Sequence, residues 1–381
     1  MRSIAFHPSR FAVALLGVSA LFSASSALGD DWPQFRGPNR DDISKETGLL
    51  QQWPTEGPRL AWKTTGLGGG FSGVSVAAGR IYTMGEDAMN CYVRALDEAT
   101  GKVLWSAKVG AVGGGNGHPG PRCTPAVAGN LIVALGQFGD LVCVDAGNGR
   151  ENWRINLATD LGGAMMSAWG YSESPLVDSG LVICTPGGAQ GVLAALDLKT
   201  GKVFWRSKEW TDKAAYSSVV PATIGGVNQY IQLTGQSVAG VNSANGKLLW
   251  KAERLGKTAV IPTPIIDGNL VYVASGYQIG SSLFRIESAG GKFAAQEVYA
   301  SKEMVNHHGG VVKIGNYAFG FSDKSGWSWQ DFATGALVDA HKELGKGSVT
   351  FADGRLYLRD ESGSGTIVLL DEQDRRLWNR E

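Results

Sequence analysis

Short apolar, β-branched runs separated by glycine-rich polar turns recur along most of the chain. One period reads TPAVAG, NLIVALG and DLVCVDA over 124–146, then ENWRINL over 151–157. Each run has strand length, and none carries the spacing of a long amphipathic helix. The pattern predicts four strands per period. A ten-residue stretch marks the repeat. LDEATGKVLW (96–105) returns as VDAGNGRENW (144–153), LDLKTGKVFW (196–205) and VNSANGKLLW (241–250). QDFATGALVD (330–339) keeps the turn and loses the indole. RIESAGGKFAAQEVY (285–299) is a degenerate copy, and LLDEQDRRLW ends at Trp378. From Trp62 through Trp105, Trp153 and Trp205 to Trp250 the steps are 43, 48, 52 and 45 residues. That period fits propeller blades or helical arrays, and four strands per period select an all-β propeller.

The repeat has a physical reading. The Asp ends the third strand, and its carboxylate can accept from backbone N–H groups further along the turn. The following Gly takes positive φ without a Cβ clash. The Trp lies on the outermost strand and can lay its ring on the neighbouring blade, burying roughly 150–250 Å². Trp105, Trp153, Trp205, Trp250 and Trp378 are therefore expected to fasten blade to blade. Strand sets begin near 74, 123, 173, 220, 262, 308 and 347, which makes seven. Trp62, in LAWKTT, is a further outer strand with no set before it. The ring has seven blades and a spare strand, or eight with an incomplete final blade.

The Asp-x-x-Thr-Gly-Lys-x-x-Trp repeat resembles that of pyrroloquinoline-quinone (PQQ)-type propellers. DWPQFRGPNR (31–40), AGRIYTMG (78–85), WGYSESPLVD (169–178), VICTPGG (182–188), YIQLTGQ (230–236), IPTPII (261–266) and NHHGGVV (306–312) extend the match. Together they look like the secreted PQQ-like propeller proteins of environmental bacteria. The resemblance implies an eight-bladed architecture and points to the fold more than to an activity.

Composition narrows the function classes. Lys plus Arg and Asp plus Glu are 35 each, a balance unsuited to nucleic acid or an acidic membrane. Gly is 54 of 381 residues, about twice the usual share of roughly 7%, in keeping with many tight turns. Arg2 and Arg10, the apolar run 11–22 and the small residues of SASSALGD form a secretory signal, with cleavage expected after Gly29. The run is too short to span a bilayer, no later stretch resembles a span, and no Cys follows the run to take a lipid. The expected organisation is a signal peptide (1–29), an N-terminal extension (30–58) and the propeller (59–381). The mature protein is expected in the periplasm or outside the cell. Cys91, Cys123, Cys143 and Cys184 form no CxxC, which excludes a zinc ribbon and a CxxCH haem site. They read as small apolar strand residues, with room for one disulfide.

In a propeller the residues just before each innermost strand converge on one mouth of the channel. They supply His118 and Arg122, then Trp169, Tyr171 and Glu173, then Tyr216 and Ser217, Thr258 and Pro262, and finally His307 and His308. Loops between second and third strands, such as GQFGD and SGYQIG, share that face. The functional reading is a pocket with Arg122 as anion anchor and a His as acid, base or metal ligand. The structural reading has Arg122 bridging to Glu173, the tyrosines wedging the channel and the His capping turns. Neighbouring residues on an extended chain point to opposite sides, so one of the two His is expected at the axis. Three functions follow. The first is a non-enzymatic scaffold without cofactor, holding a protein, small-molecule or polymer ligand on this face. The second is a quinoprotein dehydrogenase with PQQ and Ca²⁺. The resemblance implies a clamp of adjacent Cys for it, whereas these Cys are at least 20 residues apart. Ca²⁺ needs six or more oxygen ligands, and the ring offers one carboxylate, Glu173. The third is a polymer hydrolase or lyase using His307 or His308 with Tyr171.

Overall fold

The computed structural model describes residues 29–50, 53–113, 117–362, 369–371 and 377–378. The signal-peptide stretch and the Trp378 side chain lie outside the described part. The described residues form seven sheets, each of four antiparallel strands in chain order. The blades cover 75–110, 126–156, 176–206, 220–253, 265–301, 311–341 and 347–378. The seventh ends in two short strands, Leu369–Asp371 and Leu377–Trp378. The propeller of four-stranded blades is thus present.

The turn chemistry is as its residue types dictate. The Asp97 carboxylate accepts from Thr100 N at 2.9 Å and Thr100 Oγ1 at 2.6 Å. Asp197 and Thr200 repeat this at 2.8 and 2.7 Å, as do Asp331 and Thr334. The turn glycine then serves twice. Gly201 has φ 69°, and a Cβ there would lie 2.7 Å from the Trp153 ring. Trp153 Nε1 donates to Leu198 O of the third blade at 2.8 Å. Trp105 reaches Ala146 O of the second blade at 3.0 Å, and Trp205 reaches Ser243 O of the fourth at 3.0 Å. The cores between these blades are continuous hydrophobic clusters.

Trp250 packs in a core cluster with Val271, Val273 and Phe284 of the fifth blade, as expected, but its N–H is spent differently. Its Nε1 donates to Gln229 Oε1 of its own blade at 2.7 Å, and its ring covers its own Gly240. The reason lies in the fifth blade, whose turn ESAGGK has no Asp-x-x-Thr-Gly to receive an indole. There the third and outer strands, Gly280–Ala289 and Lys292–Ser301, form a long hairpin. Tyr299 takes the docking position towards the sixth blade. Its hydroxyl donates to Phe332 O at 3.1 Å, and its ring lies over Gly335.

Between the seventh and first blades the chain makes a turn at Pro54–Gly57 and then runs on without sheet pairing to Gly68. Trp53 packs on Tyr357 of the seventh blade at 6.3 Å. Trp62 Nε1 donates to Glu98 O of the first blade at 3.0 Å, and Thr64 Oγ1 to Gly101 O at 2.5 Å. Trp62 therefore docks like an outer-strand indole without a sheet of its own.

Residues 30–49 enter the ring. Trp32 exchanges two backbone hydrogen bonds with Val76, at 2.7 and 2.8 Å. Pro33 O accepts from Val127 N, and Phe351 N donates to Asp42 O. These partners sit on the innermost strands of the first, second and seventh blades, so the stretch lies in the axial channel.

Candidate functional site

The mouth of the channel is built by the loops that lead into the innermost strands. Two clusters form there. In the first, the His118 ring stacks on Trp169 at 5.7 Å and tilts against Phe71 at 6.1 Å. The Arg122 guanidinium lies 5.7 Å from the Phe71 ring and 6.0 Å from the Trp169 ring. Arg122 also donates to His118 O at 2.6 Å and Trp169 O at 3.3 Å. It thereby joins the loops before the second and third blades. Burial pulls its pKa below the ordinary arginine value. Phe71 is 59% exposed.

The second cluster belongs to blades five to seven. The His307 ring lies 5.1 Å from Tyr277 and 5.1 Å from His308. The two imidazoles face each other instead of pointing apart. The chain bends at His308 and Gly309, and Gly309 and Gly310 have φ of 87° and 85°, which ends the alternation expected of a strand. His308 Nε2 is 2.8 Å from Glu361, and Lys346 Nζ is 3.3 Å from His307 Nδ1 and 2.8 Å from Asp323. Burial lowers the pKa of both His below the ordinary imidazole value. Tyr277 and Gln278 have φ of 53° and 66°, two left-handed non-glycine residues at the centre of the Gly276–Ile279 turn, and they line a recess with Val305, Asp323 and Lys324. Tyr216 joins the two clusters. Its hydroxyl is hydrogen-bonded to Ser167, and it lies within electrostatic reach of both Arg122 and Tyr277.

Tyr171 and Glu173 lie below this surface. Tyr171 is 4% exposed and donates to Pro186 O at 3.1 Å, a wedge between blades. Glu173 does not meet Arg122 in an ion pair. It accepts from the backbone N and the hydroxyl of Thr185, the latter at 2.6 Å, and Gln232 supports that hydroxyl at 2.7 Å. Burial pushes its carboxyl up to about 7, and the cation nearby is Arg40 of the extension. The loop rule that found His118 also applies before the first blade, where it would have found Phe71. Lys346 and Glu361 carry no spacing that marks them in the sequence.

The four thiols are free and buried, so the expected room for a disulfide is not used. Burial pushes Cys91 and Cys123 up to about 12 and Cys143 up to about 11, which leaves them unreactive. They sit in three different blades, and the channel holds the chain's own residues 31–44. These residues do not fit a quinone clamp. Among the described residues, no three His, Cys, Asp or Glu side chains converge so as to hold a metal ion. No described helix is long and apolar enough to cross a membrane.

Comparison with known proteins agrees with the repeat. Residues 89–338 match the family model described as outer membrane protein assembly factor BamB. The BamB of Bordetella pertussis is 25% identical over 94% of this chain and 91% of its own length. The dehydrogenase subunit of a quinone alcohol dehydrogenase from Acetobacter aceti is 30% identical, over 48% of this chain and 25% of its own. The first three curated relatives are covered only to between 21% and 37% of their length. The crystal structure of BamB from Moraxella catarrhalis superposes with a TM-score of 0.53 at 13% identity. It covers 78% of this chain and 84% of that one, a likeness of fold.

Proposed function

Because this chain belongs to the family of the outer membrane protein assembly factor BamB, we propose that it is an exported, non-enzymatic scaffold. Its partner is a protein of the outer-membrane assembly machinery, held on the open axial face in the periplasm. The observation that carries this reading is the cluster of Phe71, His118, Arg122 and Trp169. Phe71 and His118 are exposed and Trp169 half-buried, and aromatic rings with a guanidinium are residue types that anchor protein interfaces. Arg122 spends its donors on backbone carbonyls, which holds the rings in place before any partner arrives. The dehydrogenase alternative shares the repeat, and the buried, separated thiols argue against the clamp of adjacent Cys that it would use.

The test places a photo-crosslinking residue at Phe71, at Trp169 or, as a control, at Lys292 on the far hairpin. The expected result is an adduct with an outer-membrane assembly protein from the first two sites and none from the third. Arg122→Ala is expected to lower adduct yield about tenfold, the equivalent of roughly 1.4 kcal/mol. Equal yield from all three sites, or no adduct from any, overturns the proposal.

A further inference from the structure

The stretch DWPQFRGPNRDD (31–42) is one of the motifs that no blade absorbs. It touches five of the seven blades. Asp31 accepts from Ala78 N at the turn after the innermost strand of the first blade, and Trp32 pairs with Val76. Pro33 O accepts from Val127 N of the second blade. Arg40 donates to Ser174 O at 2.6 Å and Pro175 O at 3.2 Å, leading into the third. Arg36 donates to Val311 O of the sixth at 2.6 Å. Asp42 and Ser44 bond Phe351 of the seventh at 2.9 and 2.8 Å, and Leu49 N reaches Asp353. Blades four and five receive none of these bonds among the described residues.

The distribution matters because of how the ring ends. A propeller whose last sheet mixes strands from both termini is locked by a hydrogen-bonded ladder. Here the seventh blade uses its own outer strand, and among the described residues the 53–68 segment lies at the seam. Backbone bonds of Trp32 to the first blade and of Asp42 and Ser44 to the seventh stand in for the ladder, and two buried guanidiniums, at 4% and 2% exposure, anchor the strap between them to carbonyls of the sixth blade and of the loop into the third. Arg36, Arg40 and Asp42 hold φ of 63°, 59° and 61°, a left-handed conformation that non-glycine residues keep only where contacts over-determine it. The Arg36–Asp42 ion pair, at 3.1 Å, is one such contact.

We propose that residues 31–49 are the clasp of the ring: a strap through the channel that holds the seventh and first blades together.

Hydrogen exchange on the full chain tests this. In the Arg36→Met/Arg40→Met variant, amides in 30–46, 75–86 and 347–360 are expected to exchange at least tenfold faster. Those in 227–242 and 270–286, in blades four and five, are expected to change less than twofold. Equal loss of protection in all blades, or no loss at the seam, overturns the clasp. Should the variant fail to fold, the wild-type chain is examined in low denaturant. There 30–46, 75–86 and 347–360 are expected to open together, before the rest of the ring. Opening of 30–46 without them, or only with the whole ring, overturns it equally.

Discussion

Replacing Trp205 with alanine is expected to lower the free energy of unfolding by about 3–5 kcal/mol. The indole is 7% exposed, stacks on Tyr230 at 6.1 Å and sits over Gly246, with its N–H bonded to Ser243 O. Its removal leaves a cavity between the third and fourth blades that the rigid turn at Gly246 cannot fill. It also strips a carbonyl of its donor. Trp205→Phe restores most of the area but not the bond, so about 1 kcal/mol should remain lost. Chemical unfolding of the three proteins measures both numbers. A loss below about 1 kcal/mol for the alanine variant would mean that the indole does not fasten the blades.

The second large effect concerns the buried acid and cation at the axis. Arg40→Met removes three hydrogen bonds, to Ser174 O, Pro175 O and Gln34 Oε1. It also removes the positive charge that favours the Glu173 carboxylate. The expected cost is about 3 kcal/mol at pH 8, where Glu173 is ionised. Glu173→Gln acts in the opposite direction. Burial raises Glu173 to about 7 and Asp42 to about 6, both above their unfolded values. The folded chain therefore binds more protons than the unfolded chain between roughly pH 4 and 7. Through these groups stability falls as pH rises across that window, and the penalty is complete above it. Removing Glu173 should flatten the curve and raise stability at pH 8 by up to about 3 kcal/mol, with little change at pH 4. Thermal melts of wild type and Glu173→Gln from pH 4 to 8 read the slope directly. Equal slopes would show that Glu173 does not carry the effect.

The blades were legible because their information is local. Asp97, Thr100 and Gly101 specify a turn within five residues, and Trp105 follows at a fixed step. The same locality explains why the Trp250 N–H bonds within its own blade while its ring still packs against the fifth. An indole needs an acceptor on the next blade, and the turn at 287–292 lacks one, a fact written forty residues further on. The candidate face was legible in outline, since loop position alone brings His118, Arg122 and Trp169 together and puts Tyr216 between the two clusters. Side-chain direction was not. Glu173 turns inward because Thr185 offers it two donors, and the His pair converges because two glycines bend the chain. The extension was visible as a motif, yet its partners at 76, 127, 174, 311 and 351 are scattered through the sequence without a period. Non-periodic contacts over such distances leave no trace that spacing can reveal.

The proposed recognition role of the axial face, with residues of the chain itself in the channel and no quinone bound, is put at risk by calorimetric melting of the purified protein with and without excess PQQ and Ca²⁺, with the absorbance spectrum recorded alongside. A ligand bound at 100 times its dissociation constant would add about 2.7 kcal/mol to stability. The expected result is an unchanged melting temperature and no protein-bound quinone band. A raised melting temperature that needs both additives, together with a bound quinone spectrum, would contradict it.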